Sequence, residues 1–231
     1  MPRRCSCSSL AIRRALCREV GAMHNGIDGK RALDREFEIA AGMKQALLED
    51  RISDISAVFL RNGAHPPEIA WAPRTEQIPD PRLQQLNDYW RVKAEDGVAA
   101  SSKAIDPSEM RFILGYVMLL DVLDGGADFR YRLYGSLIAE RFGRDVTGRT
   151  VRDFGDTEYI VNFFLATYQA VTETGRPLLS THYPRPGSQT ASWSRLILPL
   201  VDGAGAVSRL LVGQIPGEWR PRAPGATPPS F

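Results

Sequence analysis

The chain has 231 residues, of which 43% are hydrophobic and 24% charged, with a formal net charge of +2. That balance suffices for the core of one domain with extensions, while so small a charge argues against a nucleic-acid partner, which would call for a clustered basic face. No stretch approaches the roughly 20 consecutive apolar residues of a membrane helix, so no membrane span is expected.

Residues 1–29 read as a disordered basic tail. Arg3, Arg4, Arg13, Arg14 and Arg18 face one acid, Glu19, and Arg13 and Arg14 interrupt the apolar run that a secretory leader needs. All three cysteines, Cys5, Cys7 and Cys17, lie here, which leaves the rest without disulfides and points to a reducing cytoplasm. With His24 they match no standard zinc spacing, and no metal site is assigned. Residues 30–60 form an amphipathic helical segment, with Phe37, Ala40, Met43, Leu47 and Ile52 at helical spacing. Residues 61–81 carry Pro66, Pro67, Pro73, Pro79 and Pro81, and read as an extended linker. Because that linker separates the amphipathic segment from the later part of the chain, its apolar face is expected to serve homodimerisation or partner binding.

The compact domain is expected over residues 82–216. Leu83, Leu86 and Trp90 mark a short helix with one buried face, and Asp106-Pro107-Ser108-Glu109 is a helix start. A strand comes next over Tyr116–Leu123, then a turn at Asp124-Gly125-Gly126 and a second strand over Phe129–Tyr134. Strict alternation in that strand places Phe129, Tyr131 and Leu133 on one face. A short helix over Ser136–Phe142 and a long one from about Thr157 to Thr174 precede three strands, Leu178–Tyr183, Trp193–Val201 and Ser208–Ile215. From Pro216 onward the proline-rich tail, with residues 217–231, is expected to be disordered. The strands are joined by hairpins, so the fold class is α/β of the α+β kind: a five-stranded antiparallel sheet with one apolar face under the middle helices.

Several short motifs in this order resemble one family. They are Leu86 with Tyr89-Trp90, Ile105-Asp106-Pro107, Leu119-Leu120-Asp121-Val122, the run Phe129 to Ser136, the run Phe142 to Arg149, Thr174-Gly175-Arg176-Pro177, and Arg195 to Leu200. Together they are similar to short proteobacterial PAS proteins that carry no attached kinase or cyclase. The resemblance implies a sensory or signalling module that binds a small ligand or a partner protein and relays a conformational change. The alternative it leaves open is a ligand-free dimerisation module.

A ligand pocket between sheet and helices would draw on Tyr131 and Leu133, on Phe142, Phe163 and Phe164, and on Thr181 and Tyr183 for polar contacts. Arg195 belongs with them. Like Arg132, it either lies on an outer sheet face, reaches an acid, or meets a ligand anion. Gly135, Gly143, Gly148 and Gly175 end strands or helices, where positive φ suits glycine.

Catalytic constellations are missing. No Gly-x-Ser-x-Gly elbow or Gly-Lys-Ser/Thr loop occurs, and Asp202-Gly203-Ala204-Gly205 reads as a hairpin loop rather than a dinucleotide fingerprint. No enzyme is expected. Among cofactors carried by PAS relatives, light-sensing flavin would need a cysteine in the middle helices, and none follows Cys17. Haem would need an axial histidine, for which only His182 on the third strand is available, and it reads as a partly exposed polar residue.

Overall fold

A computed structural model describes residues 38–94, 99–154, 159–185 and 188–220. The basic cysteine-bearing segment, its zinc candidates and the tail from residue 221 lie outside them.

The fold is a six-stranded antiparallel sheet with the strand order β1-β4-β5-β6-β2-β3. The strands are β1 Glu68–Trp71, β2 Val117–Leu123, β3 Asp128–Tyr134, β4 Leu178–His182, β5 Trp193–Val201 and β6 Val207–Pro216. Five of them match the expected hairpins within a residue or two at each end. The sixth, β1, comes from the segment read as a linker. It pairs with β4 from Glu68↔Thr181 to Trp71↔Leu178. Its flanking prolines, Pro66, Pro67 and Pro73, are compatible with strand structure because β1 sits at a sheet edge, where a missing N–H breaks no second ladder.

Both faces of the sheet are covered, not one. On the inner face lies α5 (Tyr159–Thr174), with α4 (Ser136–Phe142) at one end. The opposite face carries α3 (Pro81–Lys93). Asp80 caps α3 by accepting from the Arg82 N–H, and Pro81 takes the first turn, where no N–H is needed. Leu83, Leu86 and Trp90 then pack on Leu196, Leu198, Leu200 and Leu211. The Trp90 indole N–H donates to the Pro199 carbonyl at 2.9 Å, and Pro199 stands beyond the end of β4, where the ladder on that side has stopped. The helix sits so close that a Cβ at Gly213 would lie 2.5 Å from Leu83 Cδ2.

The amphipathic segment also departs from expectation. It forms two helices, α1 over 38–48 and α2 over Ile52–Arg61. At the break, Asp50 adopts φ 55°, the Arg51 N–H donates to the Ala46 carbonyl and the Asp50 N–H to Leu47. This is the paired hydrogen-bond pattern of a left-handed helix stop. The face expected to meet another molecule turns inward: Ala40, Met43, Leu47, Ile55 and Phe59 join the same core cluster as Phe163, Tyr168 and Val171 of α5. The Phe59 ring meets Tyr159 at 4.9 Å and Phe163 at 5.1 Å, both edge-on. The chain between α2 and α3, anchored to the sheet edge by β1, lets the two helices fold back over the inner face.

Gly143, Gly148 and Gly175 do hold positive φ. Gly135 does not; its need is space, since a Cβ there would lie 2.4 Å from the Gly115 carbonyl oxygen. The chain is ordered past Pro216 as well. Arg141 of α4 donates to the Gly217 carbonyl at 2.8 Å and to Thr190 Oγ1 at 3.0 Å, and stacks on the Trp219 ring at 4.2 Å.

Phe59→Ala should therefore destabilise the whole fold by about 3–5 kcal/mol, although Phe59 lies ahead of the domain expected from sequence. Urea unfolding would show one cooperative transition moved to lower denaturant. An unchanged midpoint would mean that the helical pair is not part of the core.

Candidate functional site

The inner face of the sheet is apolar except at one place. Ser180 and His182 on β4 and Arg195 on β5 project to the same side, because alternate residues of a strand share a face and Ser180 is the register partner of Arg195. All three are buried, Arg195 to 1% exposure and His182 to 3%. From α5, Phe164 lays its ring over the Arg195 guanidinium at 3.9 Å, and Tyr168 stands 4.9 Å from it. Arg195 Nη2 donates to the Tyr168 hydroxyl. From β3, Tyr131 and Tyr134 approach the same group, their rings 5.5 Å apart.

The polar atoms here are under-partnered. Arg195 Nε and Nη1, His182 Nδ1 and Ser180 Oγ are buried without hydrogen-bond partners. A buried ion normally keeps a counter-charge, since burying one unpaired costs several kcal/mol. Here, among the described residues, Arg195 is approached by aromatic faces and by neutral polar groups, with no acid in an ion pair with it. Burial raises the Tyr168 pKa despite the adjacent guanidinium, so its hydroxyl stays protonated. Burial likewise holds Tyr131 well above the usual phenol range. For His182, burial first and the Arg195 charge second push the pKa down to about 3, so the imidazole is neutral. The centre of the core thus bears one full positive charge.

Several expected site residues meet there: Tyr131, Phe163, Phe164 and Arg195. Phe163 is fully buried, 6.4 Å from the His182 ring. Others do not. Leu133 is 40% exposed. A β-bulge makes Leu120 face Tyr131 while Leu119 faces Leu133, leaving Arg132 as the extra residue. The bulge reverses the alternation, so Tyr134 turns inward in place of Leu133. Thr181 lies on the α3 side of the sheet, bonded to Ser194 Oγ at 3.1 Å. Tyr183 leaves the site altogether, donating to Glu68 at 2.7 Å and packing on the His65 ring. Phe142 is half-buried, 6.0 Å from Phe154, at the edge of the inner layer. Arg132 is exposed and 3.6 Å from Asp121, which Arg209 also binds at 3.0 Å. Tyr134, Tyr168, Ser180 and the buried state of His182 were missed. Alternation with Arg195's register partner would have found Ser180 and His182; Tyr168, at i+4 from Phe164, shares its helix face.

An antiparallel sheet with this central strand order and helices packed over it is the architecture of a PAS-type domain. The chain belongs to the PAS family: the sequence pattern of the PAS domain matches residues 79–215. A solved structure described as "Structure of an RNA-binding Light-Oxygen-Voltage Receptor" is similar, with 14% sequence identity and a TM-score of 0.35 over 90% of this chain. This chain spans 65% of that protein's length. No curated protein matches this chain. Among the described residues, no helix is long and apolar enough to cross a membrane, and no group of three or more His, Cys, Asp or Glu is placed to hold a metal ion.

His182 gives the site a pH signature. Its folded pKa of about 3 lies below the ordinary histidine value of 6.5. Between those values the unfolded chain binds a proton that the folded chain refuses, so stability is full above pH 6.5 and falls as the pH drops. From pH 7 to pH 5 the loss should be about 2 kcal/mol, in a window above the carboxylates. His182→Gln should flatten the stability–pH curve there, measured by denaturant unfolding at each pH. An equal slope in the variant would show that His182 protonates freely in the fold.

Proposed function

We propose that this protein is a sensory PAS module that takes a small ligand between α5 and the inner sheet face, at Arg195, and relays the binding through its N-terminal helices. The observation that carries the reading is the set of buried, unpartnered polar atoms on Arg195, His182 and Ser180 in a largely apolar layer. A ligand site has this composition: mostly apolar walls and a few convergent polar groups. A core evolved only to be full has no use for it, because each unsatisfied group lowers stability. Dimerisation as the sole role is favoured less, since the helical face suited to it is spent inside the fold.

The relay has a material route. Phe163 touches His182 on one side and Phe59 of α2 on the other. A ligand that moves α5 relative to the sheet must therefore repack α2, and the ligand's preference for one arrangement sets how far the populations shift.

Native mass spectrometry of the natively purified full chain tests the binding. The parent should carry a small molecule that denaturation releases. Ser180→Leu, which places a bulky apolar side chain at the register partner of Arg195, should lose that mass while keeping its circular dichroism spectrum. Hydrogen exchange should show α1, α2 and α5 protected together when ligand is present. A parent free of bound mass, whose exchange no member of a chemically diverse small-molecule library alters, would sink the sensor reading.

A further inference from the structure

Resting on the ligand-binding reading, we infer that the ligand is a small organic monocarboxylate, its carboxylate paired with Arg195 and its apolar body lying among Phe163, Phe164 and Tyr131. Arg195 sits at 1% exposure with Nε and Nη1 unpartnered, and among the described residues no Asp or Glu forms an ion pair with it. The acids on neighbouring strands are occupied elsewhere, Asp121 by Arg209 and Arg132 on the opposite face and Glu68 by Tyr183. Arginine remains charged under all ordinary conditions and presents planar N–H donors matched to a carboxylate.

The count of charges selects the class of anion. His182 is neutral and the three nearby tyrosines, Tyr131, Tyr134 and Tyr168, remain protonated, so the site offers a single positive charge. One negative charge neutralises it; a phosphate dianion or a dicarboxylate would leave a second charge buried in an apolar layer. His182 Nδ1 and Ser180 Oγ, also unpartnered and on the same sheet face, supply secondary polar contacts. Gln214, the register partner of Arg195 on β6, is a further buried polar neighbour. The other walls are mostly rings and aliphatic side chains, which suit a hydrocarbon or aromatic body rather than a sugar or an inorganic ion. Phe164, half-buried over the guanidinium face at 3.9 Å, is the ring that an incoming carboxylate must accommodate or displace.

Matched acids and amides separate charge from shape. Benzoate and hexanoate, benzamide and hexanamide, and inorganic phosphate would each be titrated into the full chain by calorimetry and thermal denaturation. At least one acid should bind and raise the melting temperature, with its amide weaker by at least about tenfold and phosphate without effect. Arg195→Met, of similar length and uncharged, should abolish the response to acid and, ligand-free, melt no lower than the parent. Should that variant fail to fold, Arg195→Lys keeps the charge and should retain the acid-over-amide preference with weaker binding. Amide binding as tightly as acid, or acid binding that survives Arg195→Met, overturns the monocarboxylate assignment but leaves a ligand site. Neither acid binding, together with a neutral or polyanionic molecule extracted from the native protein, does the same. No probe binding and no extracted molecule overturns both this inference and the sensor reading.

Discussion

The constraint from which most of the structure derives is that β5 and β6 are buried on both faces. Along β5 every residue but Ser194 is buried, from Trp193 to Val201. Such strands expose no side for water, so two separate apolar layers must be supplied. One comes from α3, seated over Gly213. The other comes from α5 with α1 and α2, and it is in this second layer, far from solvent, that Arg195 is placed.

A charge in that position is tolerable because its surroundings are unusually polarisable. Two aromatic faces approach the guanidinium from α5, each offering a cation–π attraction that strengthens as water is excluded. Together with the one hydroxyl acceptor, these offset part of the desolvation without neutralising the charge. The arrangement resembles a binding site more than a structural ion pair: the group is positioned and buried, but among the described residues no acid pairs with it. Preorganisation of this kind lowers the ordering cost of whatever completes it.

Much of the domain was legible in the sequence because its punctuation is local. Asp106-Pro107, Asp124-Gly125-Gly126 and Gly175-Pro177 each stop or start an element by backbone chemistry alone, and the structure places element ends beside them. Alternation then sorted most residues between faces. It failed on β3 because a bulge is decided by the pairing of two strands, and nothing in Phe129–Tyr134 alone marks Arg132 as the extra residue. The helices of the segment from residue 38 to 61 were read correctly, but the fate of their apolar face and the strand within residues 61–81 were misjudged for a related reason. Its prolines suggested a spacer, yet an edge strand tolerates them, and the destination of an amphipathic face depends on tertiary geometry. Of the site, the sequence showed Arg195, Tyr131, Phe163 and Phe164 as candidates. The inward face of β4 was mistaken because polar Thr181 and Tyr183 looked like the pocket's polar contacts, whereas Ser180 and His182 hold that place.

The packing of Phe59 against Tyr159 and Phe163 bears on what counts as the module. The recurring family pattern begins at residue 79, but the hydrophobic cluster extends back at least to Ala40. Homology and cooperativity therefore draw different borders. The family pattern covers the sheet from β2 onward and α3 to α5, whereas α1 and α2 lie ahead of it and still close the same interior. A graft cut at residue 79 would carry five of the six strands and leave behind β1 together with half the lid.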